Sequence, residues 1–265
     1  MNVISLSPFD LSIAAFLTAM LAILSVPMKL GIARRILVAE MRTIVQLVLV
    51  GLVLRSIFND ARIGWVGLIA LVMLIVAARE VTSRQKKRFI GLWGFGIGAL
   101  SISISSFSIT FFALTVIINI KPWYEPQYAV PLLGMMLGNT MTGMAIGLDR
   151  LTQTASDQRT VVEARLMLGE EWTKAIENIK RESIRSGLIP IMNSMAVAGI
   201  VSLPGMMTGQ ILAGSPPMKA VKYQILIIFL IASGTGFGTM TAVWLGSRRL
   251  FDKRHRLRLD RLQNR

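Results

Sequence analysis

The chain is 265 residues long, 53% hydrophobic and only 16% charged, with a mean hydropathy of +0.60, whereas soluble domains carry about 25% charged residues. Its 29 Lys and Arg against 14 Asp and Glu fall in clusters between uncharged runs long enough to cross a hydrocarbon core of about 30 Å. An ordinary soluble protein is excluded; with no cysteine and one histidine, His255, so are disulfides, Cys-based zinc sites, iron–sulfur ligation and His-dependent triads within the membrane.

The pattern predicts an all-α polytopic helix bundle of about seven transmembrane helices, one transmembrane domain over residues 1–265. No Lys or Arg occurs in the first ten residues, so the positive leader of a secretory signal is missing and the first apolar run is expected to be retained. That run, 11–28, is span one, with Pro27 near its end. Span two extends from about 36 to 58, its flanking arginines snorkelling. Span three is 63–78, span four lies within 89–120 from about 94 to 118, and span five is 126–148. Residues 186–218 are uncharged but contain Pro190 and Pro204, so span six is expected to be interrupted or followed by a re-entrant piece. Span seven is 224–246.

With the N-terminus outside, most inner segments are strongly basic and the outer ones nearly neutral, which places the C-terminus inside as a basic cytoplasmic tail, 248–265. The net charge of +15 is thereby explained without nucleic acid, for which stacking aromatics would be interleaved with the basic residues. Small residues recur at four-residue spacing as Gly94 with Gly98, Gly134 with Gly138, Gly143 with Gly147, and Gly234 with Gly238, the pattern of closely packed membrane helices.

The stretch 149–185 is the one sizeable inner loop. Its apolar positions Val161, Ala164, Leu168, Trp172, Ala175 or Ile176, and Ile179 follow helical spacing, with Gly169 expected to divide two helices and Glu170–Lys174 and Glu177–Arg181 to pair on the polar side. A helix lying on the membrane surface satisfies that periodicity as well as a docking loop does. Glu163-Ala164-Arg165 followed by Gly169 and Ile179 resembles the cytoplasmic loop of ABC-importer permeases, which docks into the ATPase. Here Arg165 replaces the second alanine and the next proline comes late, at Pro190.

Polar groups at membrane depth are functional candidates because burying them in hydrocarbon is costly. They are Glu40 and Gln46 around span two, Glu80 at the end of span three, Asn139 and Thr142 in span five, Asn193 in span six and Gln210 beyond Pro204. Glu40 and Glu80 are near Arg42 and Arg79, which suggests neutralising ion pairs at the interface. Methionines, Met195, Met206 and Met207 among them, concentrate in spans five and six; thioethers suit soft metals but also fill gaps between helices.

Three stretches, 134–143 (GMMLGNTMTG), 193–195 (NSM) and 202–214 (SLPGMMTGQILAG), with Pro216-Pro217 and Tyr223-Gln224, resemble the permease subunit of FetB-type metal-export ABC transporters, whose plant relatives are aluminium-tolerance membrane subunits. The resemblance implies a lipid-embedded homodimer in the inner membrane, working with a separate cytoplasmic ATP-binding subunit and exporting iron or a related metal. A sugar nucleotide such as UDP-glucose is the alternative cargo. It further implies that Glu163, Ala164, Leu168, Gly169, Trp172 and Ile176 couple to the ATPase, and that a pathway between spans two, five and six uses Pro204 and its neighbours as contact or gate.

No Gly-x-x-x-x-Gly-Lys-[Ser/Thr] loop occurs in the chain, so it is expected to bind no cofactor itself, ATP and Mg residing in the partner. An ion-coupled secondary transporter, a lipid-modifying membrane enzyme and a purely structural subunit are the competing classes; the first would need buried carboxylate relays and the second an acid/base pair that the sequence does not display.

Overall fold

The computed structural model describes residues 7–59 and 62–264, and the chain divides into two compact units. The segment in which no basic leader is expected lies in part, at residues 1–6, outside the described residues.

The first unit, Met1–Arg62 with Leu212–Ser215, contains α1 (Pro8–Leu24) and α2 (Ala33–Asn59), packed on each other. Ser7 starts α1 with a capping box: the Asp10 carboxylate accepts from the Ser7 backbone N–H at 2.8 Å, while Ser7 Oγ accepts from the Asp10 N–H at 3.3 Å. At 17 residues, α1 is only about 26 Å long, short of the hydrocarbon core that its apolar sequence was expected to span.

The second unit, Ile63–Ile211 with Pro216–Arg265, carries the rest. After α3 (Ile63–Ser83) and a short strand β1 (Lys87–Phe89) comes a continuous helical run: α4 (Trp93–Ile102), a π-helical turn at Ser103–Phe107, α5 (Ser108–Phe112) and a second π turn at Ala113–Ile117. α6 (Pro126–Asp157) is followed by the short helices α7 (Arg159–Met167) and α8 (Trp172–Ala175), then by α9 (Glu177–Val197), α10 (Gly205–Leu212) and α11 (Pro217–Arg249). The tail ends in a strand β2 (Leu262–Asn264) that pairs antiparallel with β1.

Among the described residues five helices are long and apolar enough to cross a membrane: Ala33–Leu54 within α2, Ile63–Ser83, Trp93–Ile117, Pro126–Asp157 and Pro217–Arg249. These are five of the seven expected spans. The sixth is broken, though not at Pro190, which lies inside α9. The break is at 198–204, where Gly199 takes φ +84° and the chain turns back, Ser202 N–H donating to Val197 O at 3.2 Å and Gly199 N–H to Ser202 O at 2.9 Å. Only Gly adopts such a φ without strain.

α6, α9 and α11 form the centre of the unit. Polar residues do not end α6 at 148: the helix continues through Asp149 to Asp157, about 48 Å in all. One apolar cluster lies near the basic end, with Phe89, Leu148, Leu151, Ile176, Leu250 and Phe251. A second gathers Val66, Leu114, Leu132, Met136, Ile191 and Ile227.

Candidate functional site

The stretch expected to be an amphipathic loop is a helical turn built on the end of α6. α7 stops in a two-bond glycine cap: Gly169, at φ +89°, donates to Leu166 O at 3.0 Å, and Glu170 N–H donates to Arg165 O at 3.2 Å. Gly169 divides two helices as expected, and the cap explains why glycine stands there. The division also removes one expected ion pair. Glu170 lies outside α8, so it meets Arg165 at 2.8 Å rather than Lys174, while Glu177 and Arg181 do pair, at 2.9 Å, within α9.

Arg165 also donates to Ala175 O at 3.1 Å, so this departure from the importer pattern ties the two arms of the turn together. Glu163 is held by Arg159 at 2.8 Å. The expected apolar stripe separates into two halves. Ala175, Ile176 and Ile179 are buried and Trp172 is half-buried in the unit's own core, but it is Val162 that packs inward from α7, leaving Val161, Ala164 and Leu168 exposed.

The basic tail, which the sequence suggested only as charge, is folded against this turn. The Trp172 ring lies 5.3 Å from that of Phe251, and Trp172 N–H donates to His255 Nδ1 at 3.5 Å. Asp252 accepts from the backbone N–H groups of Arg254 (2.8 Å) and Arg256 (3.0 Å) and from the Arg256 guanidinium. The Arg256 backbone N–H is the chief cause that holds the Asp252 carboxyl down at about 2. Arg261 donates to Arg249 O and Phe251 O at 2.8 and 3.1 Å. Lys86 N–H, just before β1, donates to Asp149 at 2.7 Å, and Thr152 Oγ1 donates to Lys87 O at 2.9 Å. The tail was not among the residues singled out for coupling, although the Leu–Arg alternation after His255 is a strand-like signal.

Of the polar candidates, Glu80 and Thr142 are brought together through Arg84, whose Nε is 3.1 Å from Glu80 and whose Nη1 is 3.5 Å from Thr142 Oγ1. The partner of Glu80 is one turn on rather than the adjacent Arg79, because helix neighbours point in different directions. Asn139 turns its amide to Met135 O at 2.8 Å on its own helix. Asn193 and Met195 are exposed near the end of α9. Pro204 O accepts from Thr208 N–H and Oγ1 at 3.1 and 3.2 Å. Met206 packs on the second apolar cluster, and Met207 and Gln210 are half-buried. Glu40 is half-exposed and Gln46 exposed on α2, in the other unit. Among the described residues no group of three or more His, Cys, Asp or Glu could hold a metal.

Most of the expected small-residue pairs make close approaches. A Cβ on Gly143 would stand 2.6 Å from Thr235 Cγ2 and 2.9 Å from Gly187 O, and one on Gly238 would meet Thr140 Cγ2 at 2.5 Å. Gly138 is the exception, with nothing within 4 Å. Sequence reading missed Gly187, which stands against Gly143, and Thr140, Thr235 and Thr239, which are buried in the same seam. The signal was present: Ser183 and Gly187 are also small residues four apart.

Five helices among the described residues that are long and apolar enough to cross a membrane are those of a multi-pass membrane protein. The chain belongs to the family described as "Uncharacterised protein family (UPF0014)", which it matches over residues 8–251. It is 38% identical over 232 residues to a UPF0014 membrane protein of Synechocystis, covering 86% of this chain and 87% of that one. With the Escherichia coli "Probable iron export permease protein FetB" it shares 31% identity over 263 residues, 99% of both chains. With the Arabidopsis thaliana "Protein ALUMINUM SENSITIVE 3" it shares 33% over 246 residues, 92% of this chain and 88% of that one. No solved structure matches.

Proposed function

We propose that this chain is the membrane subunit of an ABC transporter that exports iron or a related metal ion, driven by ATP hydrolysed in a separate subunit. Two copies pair in the inner (plasma) membrane, with α7, α8 and the tail in the cytoplasm. ATP and Mg belong to the partner, and this chain holds no cofactor. The observation that carries the reading is the turn from α7 through Gly169 to α8: a helical elbow whose inner half is packed in the bundle core and whose outer half is exposed. Closure of a motor gripping the outer half would be transmitted through Trp172 and Ile176 to the bundle.

Similarity along the whole chain to a relative named as a probable iron export permease supports the cargo and direction. Glu80 with Thr142, the exposed Asn139, Asn193 and Met195, and the segment from Pro204 through Met206, Met207 and Gln210 are the residues proposed to meet the cargo or gate its path. An ion-coupled carrier finds less support, since it would need buried carboxylates and Glu80 is ion-paired. Intracellular iron tests the proposal: cells expressing this chain with its motor accumulate less iron under iron overload than cells lacking the chain, and equal iron contents would overturn it.

A further inference from the structure

α7 and the tail enclose a groove of about 820 Å³, with Glu163, Leu166 and Met167 on one wall and Arg254, Arg256 and Leu257 on the other. Met167, which lines it, and Leu168, next in the chain, are 82% and 84% exposed, an apolar tip that nothing in the unit covers. The opposite wall is held still by the Asp252 turn, the Phe251–Trp172 contact and the β1–β2 pairing. Arg256 is paired with Asp252, and Arg258 with Asp260. Lys253 and Arg254 have no acidic partner among the described residues. A ligand for this surface therefore presents an apolar side chain flanked by carboxylates.

The length of α6 favours a protein over a lipid headgroup as the source of those carboxylates. α6 is 32 residues long, about 48 Å, against roughly 40–45 Å for a bilayer with its headgroups. α7 continues from its far end, so an α6 that starts at the opposite membrane surface and runs along the normal would carry the groove to the outer limit of the headgroup layer or just past it.

We infer that the C-terminal tail is the second jaw of the motor-docking surface: the ATP-binding subunit inserts an apolar residue flanked by Asp or Glu between Met167–Leu168 and Lys253–Arg254. The inference rests on the reading of the chain as an ATP-driven transport subunit, and adds that the elbow alone does not form the dock.

The test places a photoreactive benzophenone amino acid at Leu168 or at Arg254 of the full chain in cells, and identifies the trapped species by mass spectrometry. Both positions trap one polypeptide carrying a Gly-x-x-x-x-Gly-Lys-[Ser/Thr] loop. Trapping from Leu168 alone would overturn the role of the tail and leave the transport reading standing. Trapping of such a polypeptide from neither would overturn both, and phospholipid trapped from Arg254 in its place would overturn the inference. In the purified complex, Lys253→Glu with Arg254→Glu weakens binding of the motor subunit about tenfold with thermal stability unchanged, since neither side chain has an acidic partner to lose among the described residues; unaltered binding would contradict the inference.

Discussion

Gly187→Ala places a methyl group where two helix backbones meet. Its Cβ would lie 2.5 Å from Gly143 O and 2.7 Å from Thr239 Cγ2. The oxygen is backbone, so no rotamer change relieves the clash, and α9 and α6 have to move apart. Overpacking of this kind costs about 1–3 kcal/mol, partly offset by the better helix propensity of alanine, about 1 kcal/mol over glycine. The remaining loss of about 0–2 kcal/mol lowers the midpoint by up to roughly 8 °C, at about 2–4 °C per kcal/mol for a chain of this size. The control is Gly138→Ala on α6, where nothing lies within 4 Å and the midpoint is expected to hold or rise. Thermal unfolding of the purified full chain in detergent, at one scan rate because such unfolding is commonly irreversible, ranks the two. Equal shifts, or a more stable Gly187→Ala protein, would refute the backbone-to-backbone packing at this seam.

Gly169→Ala forces a side chain into a φ of +89°, costing about 1–2 kcal/mol, and is expected to speed hydrogen exchange in residues 168–175 without altering the exchange of α11. Trp172→Ala removes the ring packed at a tilt against Phe251 and is expected to uncouple ATP hydrolysis from transport; normal coupling in reconstituted vesicles would remove the elbow from the mechanism. Asp252, held at about 2 against an ordinary 3.8, stabilises the tail turn above about pH 4 and loses that effect as the pH falls towards 2. Asp252→Asn is therefore expected to speed tryptic cleavage at Lys253 and Arg254 at pH 7, and an unchanged cleavage rate would contradict that role. Glu80→Gln breaks a half-exposed pair with Arg84 and changes stability by less than about 1 kcal/mol, while metal export falls if Glu80 meets the cargo.

The long spans were legible because an uncharged run between charges reflects the bilayer directly: 63–78 and 224–246 lie inside helices, and 94–118 overruns the helical run Trp93–Ile117 by one residue. Charge was a poor guide to where helices end. α6 runs on past Asp149 because that carboxylate caps the Lys86 backbone N–H, a partner 63 residues away that periodicity cannot show. Proline was a partial guide: Pro190 is carried within α9, whereas Pro204 closes the break that the turn at Gly199 opens in the sixth span. Gly169 was readable as a divider, yet the inward face of α7 was misjudged by one residue, Val162 for Val161, since a helix of nine residues gives periodicity little to work with. The tail was read as charge alone. Its order comes from pairing with β1 and from Trp172, contacts between segments far apart in the chain.

The account stands on a membrane bundle moved by a motor it does not itself contain. Purified chain reconstituted in vesicles with and without its ATP-binding subunit tests this most directly, by following ferrous iron across the bilayer on addition of ATP and Mg. Iron movement that requires both the second subunit and ATP is the result predicted. Iron movement by the chain alone, at an undiminished rate, would contradict the central claim.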